Sequence, residues 1–309
     1  MKRCLVIGGD GFIGSHVCER LLQLGHEVVA FDVSRDFAAL RHLDSGRLHR
    51  ITGDFLNRVE VKAAMAGVDW VFHLATTTTP ATSNRNMVFD VQSNVVASIE
   101  LFEEAAAAGV EKVLFASSGG TVYGRPPVNP VPEDVHHDPL VSYGVTKLMI
   151  EKYGVLFRTL HGLDVVALRL ANPYGPRHRS ATQGVIPIFI RRILAGEPIR
   201  IWGDGGIVRD YVYIDDVVEA FLRAAAYRGP ARVFNIGTGR GVSLNDLVAR
   251  LRRIGGRPVE VTYLPGRAFD VPEIVLDVSR AARELGWRPR VSLEEGLART
   301  WAWYRREGE

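Results

Sequence analysis

From residue 3 to about residue 170, short apolar runs rich in β-branched side chains alternate with longer stretches whose apolar positions recur every three or four residues. The runs predict strands at Cys4–Ile7, Glu27–Phe31, Leu48–Thr52, Trp70–Leu74, Val113–Ala116 and Val165–Arg169. The stretches Phe12–Leu24, Arg58–Met65, Asn86–Ala108 and Tyr143–Leu160 read as helices between them. Regular alternation of this kind means βαβ units and a parallel, doubly wound sheet. Ligands on such sheets bind at the carboxyl ends of the strands.

After Asn172-Pro173-Tyr174-Gly175-Pro176 the rhythm breaks. A helix is expected near Ile186–Leu194, with short strands around Ile199–Trp202 and Val259–Tyr263. Arg209–Ile214, Asp216–Ala226 and Val233–Ile236 predict a strand, a helix and a strand that rejoin the first domain. Two interleaved domains follow. Residues 1–172, joined by about 209–238, would hold a cofactor. Residues 173–208 and 239–309 would form a smaller mixed α/β domain for a substrate.

Composition narrows the class. The 309 residues are 47% hydrophobic, enough for one large core or two unequal ones. The 38 basic and 35 acidic residues leave a net charge of +3 with no long block of either sign, so no nucleic-acid partner is expected. No apolar run approaches the roughly 20 residues of a membrane span. The run after Lys2-Arg3 is too short for a signal segment and reads as a first strand. Cys4 and Cys18 read as buried free thiols, and no metal site is indicated. A soluble cytoplasmic protein is expected, with no membrane partner.

Four constellations carry chemistry. Gly8-Gly9-Asp10-Gly11-Phe12-Ile13-Gly14 leaves the first strand and opens the first helix. Glycines there allow a tight turn and close approach of a pyrophosphate to the helix N-terminus. Asp32 ends the second strand at about the 20-residue distance expected of a ribose-binding acid. It can accept both ribose hydroxyls and would repel a 2′-phosphate, which favours NAD over NADP. In Tyr143-Gly-Val-Thr-Lys147 a phenol and an ammonium share one helix face, and a neighbouring cation favours phenolate. Ala116-Ser-Ser-Gly-Gly-Thr-Val-Tyr-Gly124 ends the fifth strand with hydroxyls and bare backbone. Arg209 and Arg267 supply guanidinium forks suited to diphosphate oxygens.

Together these residues resemble the extended short-chain dehydrogenase/reductase family, most closely its UDP-glucose 4-epimerase-like branch acting on nucleotide sugars. The resemblance covers essentially the whole chain. Its marks are the Gly8–Gly14 loop, GDF at 53–55, FHLA at 72–75, SNV at 93–95, TVYG at 121–124, YGVTK, NPYGP, VRDYVYIDDV at 208–217, FNIGTG at 234–239 and the Arg267 segment. It implies a Rossmann-type NAD domain and a smaller nucleotide-sugar domain. NAD would meet Gly8, Gly11, Phe12, Ile13, Gly14 and Asp32, then Asp54 and Phe55 near adenine. Leu74, Ala75, Ser117 and Asn94 would line the rest, Asn94 toward the nicotinamide. Tyr143 would be the acid/base, and Lys147 would hold the nicotinamide ribose and bias the phenolate. Asn172, Arg209 and Arg267 would grip the diphosphate of the sugar nucleotide, a UDP-hexose first. A homodimer through a four-helix bundle of Asn86–Ala108 and Tyr143–Leu160 is also implied.

One departure stands out. The family's catalytic Ser or Thr lies three places before the valine of Val-Tyr-Gly, and here that place is Gly119. Ser118 and Thr121 are the hydroxyls on offer. If the strand stays extended, Thr121 shares the side of Gly119 and Ser118 points away. The position that limits N-acetyl groups in the family falls on Ile274. Related dehydratases and decarboxylases carry an acid immediately before Val-Tyr-Gly, where this chain has Thr121, and Gly120 stands where dehydratases carry Asp. The reaction implied is therefore C4 inversion through a 4-keto sugar. Two alternatives stay open: an NAD(P)-dependent nucleotide-sugar reductase or dehydrogenase, and a non-catalytic NAD-binding sensor. The sensor is suggested by Gly119 and opposed by retention of Tyr143 with Lys147.

Overall fold

The computed structural model describes residues 1–267 and 270–307; Ala268, Phe269, Gly308 and Glu309, all in the expected sugar-binding half, lie outside the described residues. In the first half the chain forms β1 (Arg3–Ile7), α1 (Phe12–Gln23), β2 (Glu27–Asp32), β3 (Leu48–Thr52), α2 (Arg58–Ala64) and β4 (Trp70–His73). There follow α3 (Met87–Asp90), a π-helical segment Val91–Val96, α4 (Ala97–Ala107), β5 (Lys112–Ser118), α5 (Ser142–His161) and β6 (Val165–Leu170). The second half adds β7 (Asn172–Tyr174), α6 (Val185–Ala195), β8 (Ile199–Trp202), β9 (Val208–Tyr213), α7 (Ile214–Ala226) and β10 (Val233–Ile236). It ends with β11 (Gly241–Ser243), α8 (Leu244–Gly255), β12 (Val261–Leu264), β13 (Glu273–Ile274), α9 (Ser279–Glu284) and α10 (Leu293–Glu307).

Seven parallel strands in the order β10-β6-β5-β4-β1-β2-β3 make a Rossmann-type central sheet. Along β1, Cys4 and Val6 join one apolar core while Leu5 and Ile7 join the other. Both faces are therefore covered, and the strands read as unbroken apolar runs rather than as alternating ones. Val17, Leu21 and Phe221 of α1 and α7 pack on the first face, and Leu101, Phe102 and Ile150 of α4 and α5 on the second. From β1 the chain proceeds to β2 and β3 on one side, then crosses to β4 on the other. That reversal opens a crevice at the carboxyl ends of β1 and β4, where doubly wound sheets bind ligands.

The strand expected over Arg209–Ile214 does not rejoin this sheet. As β9 it pairs with β7, β11 and β13 in a separate small sheet. Only α7 and β10 return, β10 lying beside β6. The helix expected over Asn86–Ala108 is interrupted by the π-helical segment, which carries Asn94.

Candidate active site

A cleft of about 1060 Å³ runs along the carboxyl ends of the central strands and on to β8 and β9. Gly8, Gly11, Phe12, Ile13 and Gly14 line one end. Gly8 has φ +85°, and a Cβ at Gly14 would overlap the Gly8 carbonyl oxygen. The turn therefore exists only with glycine at these places. Gly11 caps α1 without a side-chain hydrogen bond, so the first-turn N–H groups remain for an anion. Asp32, at the tip of β2, lines the same end and accepts hydrogen bonds from the N–H groups of Asp10 (3.0 Å) and Ser34 (3.1 Å). Asp54, Phe55, Leu74, Ala75 and Ser117 line the cleft as well.

Tyr143 and Lys147 rise from the first turns of α5 into the middle of the cleft. Lys147 is 4% exposed; its Nζ donates to the Ala116 carbonyl at 2.9 Å and lies 5.4 Å from the Tyr143 ring centre. Gly144 lets α5 approach the turn after β5, since a Cβ there would stand 2.5 Å from the Thr121 carbonyl oxygen. Burial pushes the Tyr143 phenol up to about 12, and the Asp90 carboxylate adds to the rise. Burial pulls the Lys147 ammonium down to about 8, against the carboxylates of Asp90 and Glu151. The expectation that the neighbouring cation favours phenolate is thus outweighed by desolvation in the protein alone.

The tip of β5 corrects the reading of Gly119. The strand ends at Ser118, and Val122 N–H bonds back to the Ser118 carbonyl at 3.2 Å, so the chain turns and strand alternation stops. Ser118, Gly120 and Thr121 all line the cleft. Gly119 lies behind them: its Cβ would stand 2.5 Å from Leu276 Cδ1, inside a buried cluster. Ser118 therefore does not point away, and no hydroxyl is missing from the cleft at Gly119. The Thr121 Oγ1 is buried with no hydrogen-bond partner, an unused polar atom at the site.

Asn172, Arg209 and Arg267 line the far end of the cleft. Asn172 Nδ2 donates to the Asp210 carbonyl at 2.9 Å, and Arg267 forks onto Asp270 with two bonds of 2.9 Å. Two expected residues do not line the cleft. Asn94 is 4% exposed and spends its amide on Thr76, Thr77 and Asp90, holding the loop after β4. Ile274 is 2% exposed and packs among Val122, Tyr123, Val131 and Leu276, so it does not face a sugar.

Other residues escape sequence reasoning. The threonine run Thr76–Thr79 follows β4, and Thr76, Thr77 and Thr79 line the cleft. Its position at a strand tip was the available signal. Asp90, fully buried, accepts from Thr78 (2.5 Å), Asn94 (2.9 Å) and Ser142 (2.6 Å), tying that loop to the start of α5. Behind Ser117, Glu151 accepts the Ser117 hydroxyl (2.5 Å) and the Arg169 fork (2.6 Å). Such a buried pair is strongly coupled to its surroundings, and breaking it leaves an unpaired charge.

Residues 4–237 match the NAD dependent epimerase/dehydratase family. A UDP-glucose 4-epimerase of Mycolicibacterium smegmatis is 38% identical, covering 99% of this chain and 100% of the relative. A dTDP-4-dehydro-6-deoxyglucose reductase of Escherichia coli is 34% identical, covering 95% of this chain and 94% of the relative. The solved structure of UDP-glucose 4-epimerase with UDP-glucose from Thermotoga maritima matches with a TM-score of 0.93 and 39% identity, covering 99% of this chain and 100% of that one. NAD fits the residues present, with a glycine turn that admits no Cβ, an uncapped helix start for the diphosphate and Asp32 for ribose hydroxyls. On its cleft, its sheet and these likenesses, the chain belongs to the NAD-dependent epimerase/dehydratase family.

Proposed function

We propose that this protein is an NAD-dependent 4-epimerase, inverting C4 of a nucleotide-diphosphate hexose, UDP-glucose or UDP-galactose first, through a transient 4-keto sugar. One observation carries the choice within the family. Among the described residues the carboxylates lining the cleft are Asp32, Asp54 and Asp270, and none belongs to the β5 tip, where Gly120 and Thr121 stand. A 4,6-dehydration needs an acid and a base beside the hexose, whereas epimerisation needs one proton acceptor at the C4 hydroxyl.

Bound NAD supplies the reversible hydride acceptor for C4. Tyr143 would take the C4 hydroxyl proton as phenolate and then return it. Positive charge from Lys147 and bound NAD⁺ would favour that form over the neutral phenol of the cofactor-free protein. Lys147 holds the adjoining ribose and sets the charge beside the phenol. Thr121 and Ser118 offer hydroxyls to the hexose. Asn172, Arg209 and Arg267 hold the diphosphate, while Gly120, with open space around a Cβ position, leaves the hexose room to turn.

The division of labour follows the chain: residues 1–172 with α7 and β10 hold NAD, and the remainder holds the sugar nucleotide. Apolar side chains exposed on α3 and α5, among them Val88 (66%), Phe89 (45%), Val155 (54%) and Leu160 (64%), support a homodimer through these helices. The described residues contain no helix long and apolar enough to cross a membrane, and two free buried cysteines suit a reducing cytoplasm.

The reductase relative keeps a second reading in view, and one experiment separates the two. UDP-, dTDP- and GDP-hexoses are incubated with the purified protein and followed by NMR without added cofactor. A C4-inverted product without net change in NADH supports the epimerase. Conversion only with stoichiometric NAD(P)H would make it a reductase.

A further inference from the structure

The segment Pro176-Arg177-His178 joins the sugar half to the cofactor half at the start of α1. Arg177 has φ +63°, a left-handed conformation that an arginine adopts only when its surroundings enforce it. Its guanidinium reaches three groups of the first βαβ unit. Nη2 donates to Glu19 Oε2 at 2.6 Å and to His16 Nδ1 at 2.6 Å, and Nη1 lies 3.2 Å from His42 Nε2. Arg177 Nε donates to His16 Nε2 at 3.2 Å, and that same nitrogen lies 3.1 Å from the Pro176 carbonyl oxygen. Burial, reinforced by the Arg177 charge, holds His16 near 3, so this arrangement persists at neutral pH.

The next residue covers the phosphate end of the cleft. The His178 ring stacks on Phe12, with centroids 4.4 Å apart and planes 4° from parallel. Phe12 is the first residue of α1, and both rings line the cleft. The His178 carbonyl accepts from Tyr304 on α10 and from Arg191 on α6 (3.2 Å), so the sugar half holds the strap from behind. None of these groups is needed by the proton chemistry at Tyr143.

We propose that Pro176–His178 is a strap that retains the dinucleotide, with Arg177 as its latch on α1 and His178 as its cover beside the diphosphate seat. It rests on the epimerase reading, because an epimerase regenerates its cofactor in place and gains from never releasing it. A reductase must exchange cofactor at each turnover. Arg177 is a positioning residue, acting through α1 and His178 rather than on the sugar.

The test is NAD retention. Arg177→Gly removes the latch and suits the left-handed backbone, and His178→Ala removes the cover while leaving the Glu19 pair intact. Bound NAD per chain is measured by chromatography after extensive desalting, and its dissociation rate by displacement. Loss of a charge-assisted fork predicts release at least about ten-fold faster in Arg177→Gly. His178→Ala should release faster too, and both should keep kcat within about two-fold at saturating NAD, since the chemistry is untouched. Release rates within about two-fold of the unaltered protein in both variants would overturn the strap. If Arg177→Gly fails to fold, His178→Ala decides alone. Should the unaltered protein retain no NAD, the epimerase reading falls and the strap with it; equal retention in all three overturns the strap only.

Discussion

Lys147 sits 5.4 Å from the ring centre of Tyr143 yet spends a hydrogen bond on the Ala116 carbonyl, so its charge faces the phenol without pairing to it. Beside the larger effect of burial, Asp90 acts on both groups, raising the phenol and opposing the fall of the ammonium. Burial sets both groups: the phenol is held neutral at about 12, and the ammonium gives up its proton at about 8.

Tyr143→Phe should lower kcat by about 10²–10⁴ while NAD stays bound, since only the proton acceptor is removed. Lys147→Met should cost activity too, but its stability effect has the opposite sign. The Lys147 value is about 8 in the fold against 10.5 for a free lysine. Between these pH values the unfolded chain holds more protons, so Lys147 destabilises the cofactor-free protein below pH 8 and the penalty lifts as pH rises to 10.5. Cofactor-free Lys147→Met should therefore be more stable than the unaltered protein at pH 7, by at most about 3 kcal/mol less the lost bond to the Ala116 carbonyl, with the gap closing toward high pH. A melting temperature at pH 7 below that of the unaltered protein would refute this.

Thr121→Val tests the unused hydroxyl. Valine keeps the shape and removes a buried oxygen that bonds to nothing in the protein, so the melting temperature should hold or rise. If Thr121 serves the hexose, kcat/KM should nonetheless fall by about ten-fold or more. Ser118→Ala should be milder. Unaltered kinetics in Thr121→Val beside a crippled Ser118→Ala would reverse the assignment.

Gly119→Ala should act on stability and leave the chemistry alone. The added carbon meets Leu276 Cδ1 at 2.5 Å and the Arg169 carbonyl oxygen at 3.1 Å, both away from the cleft. Overpacking of this kind costs about 1–3 kcal/mol. Thermal melts of Gly119→Ala, Leu276→Ala and the double variant should show a favourable coupling above about 0.5 kcal/mol. A fall in kcat with an unchanged melting temperature would place Gly119 in the site after all.

The sequence revealed what local pattern encodes. β1, β2 and β4 are apolar on both faces, and the glycine turn follows β1 directly, so the cofactor half was legible to within a few residues. The small sheet was not, because β7 is three residues with a central proline, and β9 shows its partners only when β11 and β13 arrive. Gly119 was misread because strand alternation was carried past Ser118 as far as Thr121, across the point where the chain turns. Asn94 was placed toward the nicotinamide by the family resemblance alone, and the apolar spacing that continues through Val91–Val96 gives no sign of the π-helical segment that carries it. Arg177 gave no signal at all: its partners His16 and Glu19 lie 161 and 158 residues away. The phenol's charge state was misjudged because burial depth is a property of the whole fold.

Strand β10 gives the architecture a last consequence. All six residues of β6 are buried, and β10, from beyond the first sugar-binding segment, covers its outer edge. A fragment cut after residue 172 would hold every glycine of the dinucleotide turn and still present a bare ladder of amides beside β5. Such an edge recruits any extended chain it meets. The nucleotide fold of this protein is thus not a separable module to be grafted elsewhere. Its seventh strand works as a clasp, and a peptide spanning residues 233–236 would compete for the slot it fills.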